Sequence, residues 1–239
     1  MKNQKNLFKM IVLSMLIALG VVISPILRVE GMCPMAHFIN IISSVFLGPW
    51  YSLLCATLIG VIRMITMGIP PIALTGAIFG AFLSGVFYRM SKGKIIFAVI
   101  GEIIGTGIVG ALVSYPVMTF LWGKEGLSWM FYIPSFVCGT LIGGSIAYVF
   151  LRKLTDNGIL LQIQNMLSSK SYEDKSTLLS NTITIAAFGA ILFVIIEVIP
   201  DIFKLSSPIF DVLSIASLII CIIIAVIYYI CKKVKKIDK

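Results

Sequence analysis

The sequence predicts an all-α, polytopic membrane protein of eight spans with both termini in the cytoplasm. Three observations carry that reading. The chain is 59% hydrophobic and only 12% charged, whereas soluble domains are near a quarter charged. Apolar runs long enough to cross ~30 Å of hydrocarbon, at ~1.5 Å per helical residue, recur along it. Of its 19 basic residues, 15 lie in the segments that an even number of crossings leaves on one side, as the positive-inside rule requires. The net charge of +9 is therefore a topology signal, and no nucleic acid partner is expected.

Lys2, Lys5 and Lys9 precede an uncharged run over residues 10–27. Its start resembles a signal peptide, but the run is long enough to span and no small-x-small site closes it. It is read as a retained first span entering from the cytoplasm. Ser14 and Ala18, then Gly20 and Ser24, are small residues four apart, a spacing that lets helices approach closely. They serve either packing within the chain or docking on a partner helix. Arg28 and Glu30 mark an outer loop. The second span, residues 34–47, is too short to cross, so its start is recessed below the outer surface. Gly48 suits its end and Pro49 the first position of the third span, which runs to about Met67. Pro70 and Pro71 break the chain outside. The fourth span, about 72–88, has Gly76 and Gly80 spaced for close packing, and Arg89, Lys92 and Lys94 form an inner loop.

The fifth span begins near Ile95 and carries Gly101-Glu102-Ile-Ile-Gly105-Thr106-Gly107, with Ser114-Tyr115-Pro116 towards its other end. Glu102 lies roughly 10 Å deep at helical rise. Residues 120–129 form an outer loop whose Trp122 and Trp129 suit a membrane-interface aromatic belt. The sixth span covers 130–151, again with a spaced pair, Gly139 and Gly143. Residues 154–177 are a cytoplasmic linker in which 159–167 is amphipathic and suited to the membrane surface. Spans at 178–199 and 209–231 make a C-terminal hairpin, followed by a basic tail. The units are thus 1–153, 154–177 and 178–239.

No G-x-x-x-x-G-K-[ST] is present, so the chain has no P-loop of its own. With one histidine and few buried acids there is no H-E-x-x-H, no Ser-His-Asp set and no relay of intramembrane carboxylates. Five cysteines have no ligand-like spacing, and four lie in apolar runs where they read as small buried hydrophobes. No metal, no cofactor and no catalysis is expected, which leaves binding. His37 and Asn40 share a face at the recessed start of the second span. They either hydrogen-bond a heterocycle or hydroxyl, or His37 merely caps the helix. Arg63 either holds an anionic or polar ligand group or snorkels to the interface. Glu102 is assigned a structural role. Tyr115, Trp122 and Trp129 are candidates to stack on a ring, with Trp129 better placed as an interface anchor.

The strings MAHFIN-x-x-SSVFLGPWY from Met35, LIGVIRM containing Arg63, and GEIIGTGIVGALVSYPV over 101–117 resemble the ThiW group of substrate-binding S components of energy-coupling factor (ECF) vitamin transporters. The resemblance covers roughly residues 9–151. It implies a six-helix bundle that captures a thiamine precursor, hydroxyethylthiazole, from outside. Such a bundle docks on a transmembrane coupling protein driven by two cytoplasmic ATPases, through a small-residue face that maps here to Ser14 and Ala18. It selects His37, Asn40, Arg63, Gly68, Tyr115 and Trp122 for the ligand. Where that pattern has a Phe-Pro-Gly-Ser turn, this chain has Ile72-Ala-Leu-Thr75-Gly76, and the hairpin at 178–231 is extra to it. The competing expectations are an S component for another small vitamin and an ion-coupled secondary transporter.

Overall fold

The computed structural model describes residues 2–26, 33–167, 169–172, 178–203 and 208–237. All regular structure among them is helical. The helices are α1 (Lys2–Ile23), α2 (Pro34–Leu47), α3 (Pro49–Met67), α4 (Ile72–Met90), α5 (Ile95–Leu121), α6 (Ile133–Asp156), α7 (Ile159–Met166), α8 (Leu178–Phe203) and α9 (Pro208–Ile237). Six of them are long and apolar enough to cross a membrane: α1, α3, α4, α5, α6 and α9. Helix α2, at 14 residues, is not. Arg28, Glu30, Lys175, Lys204 and Lys239 of the charge pattern lie outside the described residues.

The apolar helix too short to cross is the central one. α2 packs against α1, α3, α4, α5, α6 and α7, and its residues Ile39 to Val45 are all buried. Serines tie it to its neighbours. Ser44 pairs with Ser84 of α4 at 2.7 Å and Ser43 with Ser52 of α3 at 2.8 Å. Small hydroxyls pack closely and satisfy each other where no water is available. Because α2 is short, each of its ends must be covered by something else. At its C-terminal end, Gln164 of α7 donates to Val45 O and Tyr88 Oη, both at 3.0 Å. Leu160 and Leu167 are buried beside it. The amphipathic segment expected on the membrane surface thus spends its apolar face on the bundle. At the N-terminal end of α2 a cavity remains.

Several boundaries differ from expectation for local reasons. α1 starts at Lys2 and stops at Ile23, where Ser24 back-bonds to Gly20 O. α6 starts at Ile133 rather than 130, with Pro134 in its first turn, and continues to Asp156. Pro fits a first turn, where its missing N–H is unneeded, and an Arg152–Asp156 ion pair at 3.1 Å supports the last one. α8 runs on through Pro200 to Phe203, and α9 covers Pro208–Ile237. α8 packs against α6 and α9. The cysteine expectation is corrected: Cys55 is buried, but Cys138 and Cys231 are exposed on the bundle surface, with Cys33 and Cys221 between. An apolar run places a residue in the membrane, not in the protein core, and lipid accepts a thiol as readily as a core does.

The least foreseeable feature is in α5. Residues Ile103–Gly110 and Val117–Leu121 are π-helical. The second stretch follows Pro116, which has no N–H for the ladder and crowds the preceding turn, so a wider turn relieves it. The first follows Glu102 directly, and π-turns concentrate at functional sites.

Candidate functional site

Two glycines set the geometry at the start of α2. A Cβ on Gly143 of α6 would lie 2.1 Å from Pro34 O and 2.9 Å from His37 Cβ, so only glycine lets α6 press against the turn that carries His37. A Cβ on Gly80 of α4 would lie 2.0 Å from Thr106 Oγ1 and 2.7 Å from Glu102 Oε2. The missing side chain is the space the Glu102 carboxyl group occupies.

That carboxyl group is the hub of a buried network. Glu102 Oε1 lies 2.9 Å from His37 Nδ1, accepts from Asn40 Nδ2 at 2.9 Å, and accepts from Thr106 Oγ1 at 3.1 Å. Asn40 Nδ2 also donates to Ala77 O at 3.3 Å. Glu102 is fully buried, and Asn40 and His37 nearly so. Three donors on one oxygen compensate a carboxyl group that the interior would otherwise exclude. Its second oxygen, Oε2, has no partner among the described residues.

Beside this network lies a cavity of about 100 Å³. The start of α2 contributes Cys33, Ala36 and His37, and α3 contributes Arg63. The α3–α4 turn and α4 contribute Ile69, Ile72, Ala73, Gly76 and Ala77. Thr106 of α5 and Phe136 of α6 complete the wall. The lining is mostly apolar with a few convergent polar groups, the usual make-up of a small-molecule site. Arg63 does not snorkel: it is 3% exposed. Its guanidinium donates only to Cys33 Sγ, at 3.7 Å, and its Nε has no partner among the described residues. His37 does not cap α2, whose N-terminus has no side-chain cap. Its Nδ1 is committed to Glu102, which leaves Nε2 as the ring's remaining polar atom.

The residues selected from sequence are placed as follows. His37 and Arg63 line the cavity. Asn40 stands behind His37, on Glu102 and on the carbonyl of the cavity residue Ala77. Gly68 ends α3 in the left-handed conformation, φ 61°, and is exposed next to Ile69. Tyr115 meets Trp129 at a tilt of 41°, ring centroids 4.4 Å apart, and Trp122 is 52% exposed. Neither Tyr115 nor Trp122 is among the lining residues. Ser14 and Ala18 face outward from α1, while Gly20 and Ser24 are buried against the bundle. Glu102, assigned a structural part, joins His37 to Asn40. Sequence reasoning missed Thr106 and Phe136 as wall residues. Thr106 sits inside the quoted glycine-rich string, one helical turn from Glu102; Phe136 carries no signal that separates it from packing.

The profile of the thiamine-precursor transporter protein family (ThiW) matches residues 10–157. Neither the curated proteins nor the solved structures give a match. The matched segment begins in α1 and runs to the end of α6, so it contains every residue of the network and the cavity. With well over half its length under that profile, and with six helices able to cross a bilayer, this multi-pass membrane protein belongs to the ThiW family of thiamine-precursor transporters.

Proposed function

We propose that the chain is the substrate-binding S component of an ECF-type transporter, and that the cavity between His37 and Arg63 holds hydroxyethylthiazole. The observation that carries this is the cavity itself. It is about 100 Å³, mostly apolar, and has His37 and Arg63 among its lining residues. A single five-membered ring with short substituents suits that volume. Its hydroxyl and ring nitrogen can meet the two polar side chains while Phe136 and Ile72 cover the ring. For so small a ligand, a few hydrogen bonds in a water-poor site give useful affinity.

In this reading the chain crosses the membrane eight times with both termini in the cytoplasm. The cavity faces outward, and α7 closes the cytoplasmic end of α2. Energy comes from ATPases on other chains through a coupling protein, because this sequence has no P-loop. The outward-facing pair Ser14 and Ala18 on α1 is the docking face, where small residues permit close helix approach. Residues 1–153 do the binding, and the 178–239 hairpin braces α6.

Titration calorimetry on the purified chain without ATP tests the assignment. Saturable binding of hydroxyethylthiazole is expected. No heat and no thermal protection with any thiamine precursor would overturn it. The buried Glu102–His37 pair favours one alternative, a proton-coupled carrier that needs no partner. Uptake by vesicles holding this chain alone, driven by a proton gradient, would decide for that alternative.

A further inference from the structure

We propose that the cavity, besides the thiazole alcohol, accepts and prefers an anionic ring compound, a small heterocyclic carboxylate whose carboxyl group meets Arg63. The inference deepens the thiazole reading and rests on it.

Among the described residues, Arg63 is a buried cation without a counter-ion. It is 3% exposed, and its one hydrogen bond among the described residues is to the Cys33 thiol at 3.7 Å. Its Nε has no partner among the described residues. The ion pairs among those residues join His37 to Glu102 and Arg152 to Asp156, and neither involves Arg63. The buried acid of the network, Glu102, makes no ion pair with Arg63. Glu102 Oε1 serves His37, Asn40 and Thr106, and Oε2 faces Gly80 of α4. Arginine stays protonated in proteins, and a buried cation is costly until something neutralises it. Arg63 lines the cavity, so whatever fills the cavity is what can neutralise it.

The chemistry of the cargo follows. A carboxylate matches the planar fork of a guanidinium and can take two parallel hydrogen bonds from it. A hydroxyl can also accept from the guanidinium, but it carries no charge to compensate it. The cavity, of about 100 Å³ and mostly apolar, suits one ring with one charged arm. His37, also in the lining, is held by its Nδ1 contact and meets the heterocycle with the rest of its ring.

The test is calorimetric titration of the purified full chain with two probes, hydroxyethylthiazole and the corresponding thiazole carboxylate. It is run near neutral pH on wild type, Arg63→Lys and Arg63→Gln. In wild type the carboxylate should bind about tenfold or more tightly than the alcohol, the usual margin for a charge-assisted pair. Arg63→Gln should erase that preference, and Arg63→Lys should retain part of it. Thermal unfolding checks that both variants fold; were Arg63→Gln to fail, the wild-type and Arg63→Lys ratios decide. An alcohol that binds wild type as well as the carboxylate does, or a preference that survives Arg63→Gln, would overturn this inference alone. If neither probe binds wild type, the thiazole reading falls with it.

Discussion

Replacing Glu102 with alanine removes the acceptor on which three side chains converge. His37 Nδ1 loses a 2.9 Å contact and Thr106 Oγ1 a 3.1 Å bond, while Asn40 Nδ2 keeps only its 3.3 Å bond to Ala77 O. A buried donor left without an acceptor costs about 1–3 kcal/mol. Two such donors, less the desolvation recovered by deleting a buried carboxyl group whose Oε2 is already unpartnered, give a net loss of about 2–4 kcal/mol. Glu102→Gln keeps an acceptor oxygen in place and should cost about 1 kcal/mol. For a chain of this length that corresponds to a fall in thermal midpoint of roughly 5–15 °C for alanine and about 2–4 °C for glutamine. Tryptophan fluorescence during a temperature ramp on detergent-purified protein reads both. A cycle of His37→Ala, Glu102→Ala and the double variant should be strongly non-additive, since the second deletion finds its partner already gone. A Glu102→Ala protein that melts with wild type, or a cycle that adds within error, would refute the network as a stabilising unit.

The other expectations concern neighbouring parts of the same site. Gly143→Ala places a Cβ 2.1 Å from the Pro34 carbonyl oxygen, a backbone atom that cannot swing aside. It should cost about 1–3 kcal/mol and weaken precursor binding by displacing His37, read by thermal midpoint and titration together. Cys33 lines the cavity, whereas Cys138 is exposed elsewhere. A small thiol reagent followed by peptide mass mapping should find Cys33 protected by bound precursor and Cys138 not. Ser14→Leu with Ala18→Leu puts bulk on a face that no described helix covers. Uptake by cells should fall sharply while calorimetric binding to the purified variant stays within about twofold of wild type, as expected for a docking face spent on close helix approach. Loss of both would move those residues into the bundle's own packing.

Much of the bundle was legible because membrane helices announce themselves by length and by flanking charge. His37, Asn40 and Arg63 stood out for a related reason: polar groups in apolar runs are costly and rarely idle. What could not be read was how faces turn towards one another. Depth along α5 located Glu102 by height alone. The π-helical stretch Ile103–Gly110, with more residues per turn than an α-helix, shifts the phase of everything after it. Tyr115, read as a ring-stacking candidate, thus meets Trp129. The centrality of α2 was hidden too, since a short apolar run looks the same in the middle of a bundle as at its edge. The apolar wall residues Ile69, Ile72 and Phe136 differ from packing residues only by the space left in front of them.

The central claim is tested most directly by an experimental structure of the purified chain with hydroxyethylthiazole bound. The account predicts the ring between Phe136 and Ile72, with polar atoms within hydrogen-bond distance of His37 Nε2 and the Arg63 guanidinium. Ligand density beside Tyr115 and Trp129 instead, with the cavity at the start of α2 collapsed or dry, would contradict it.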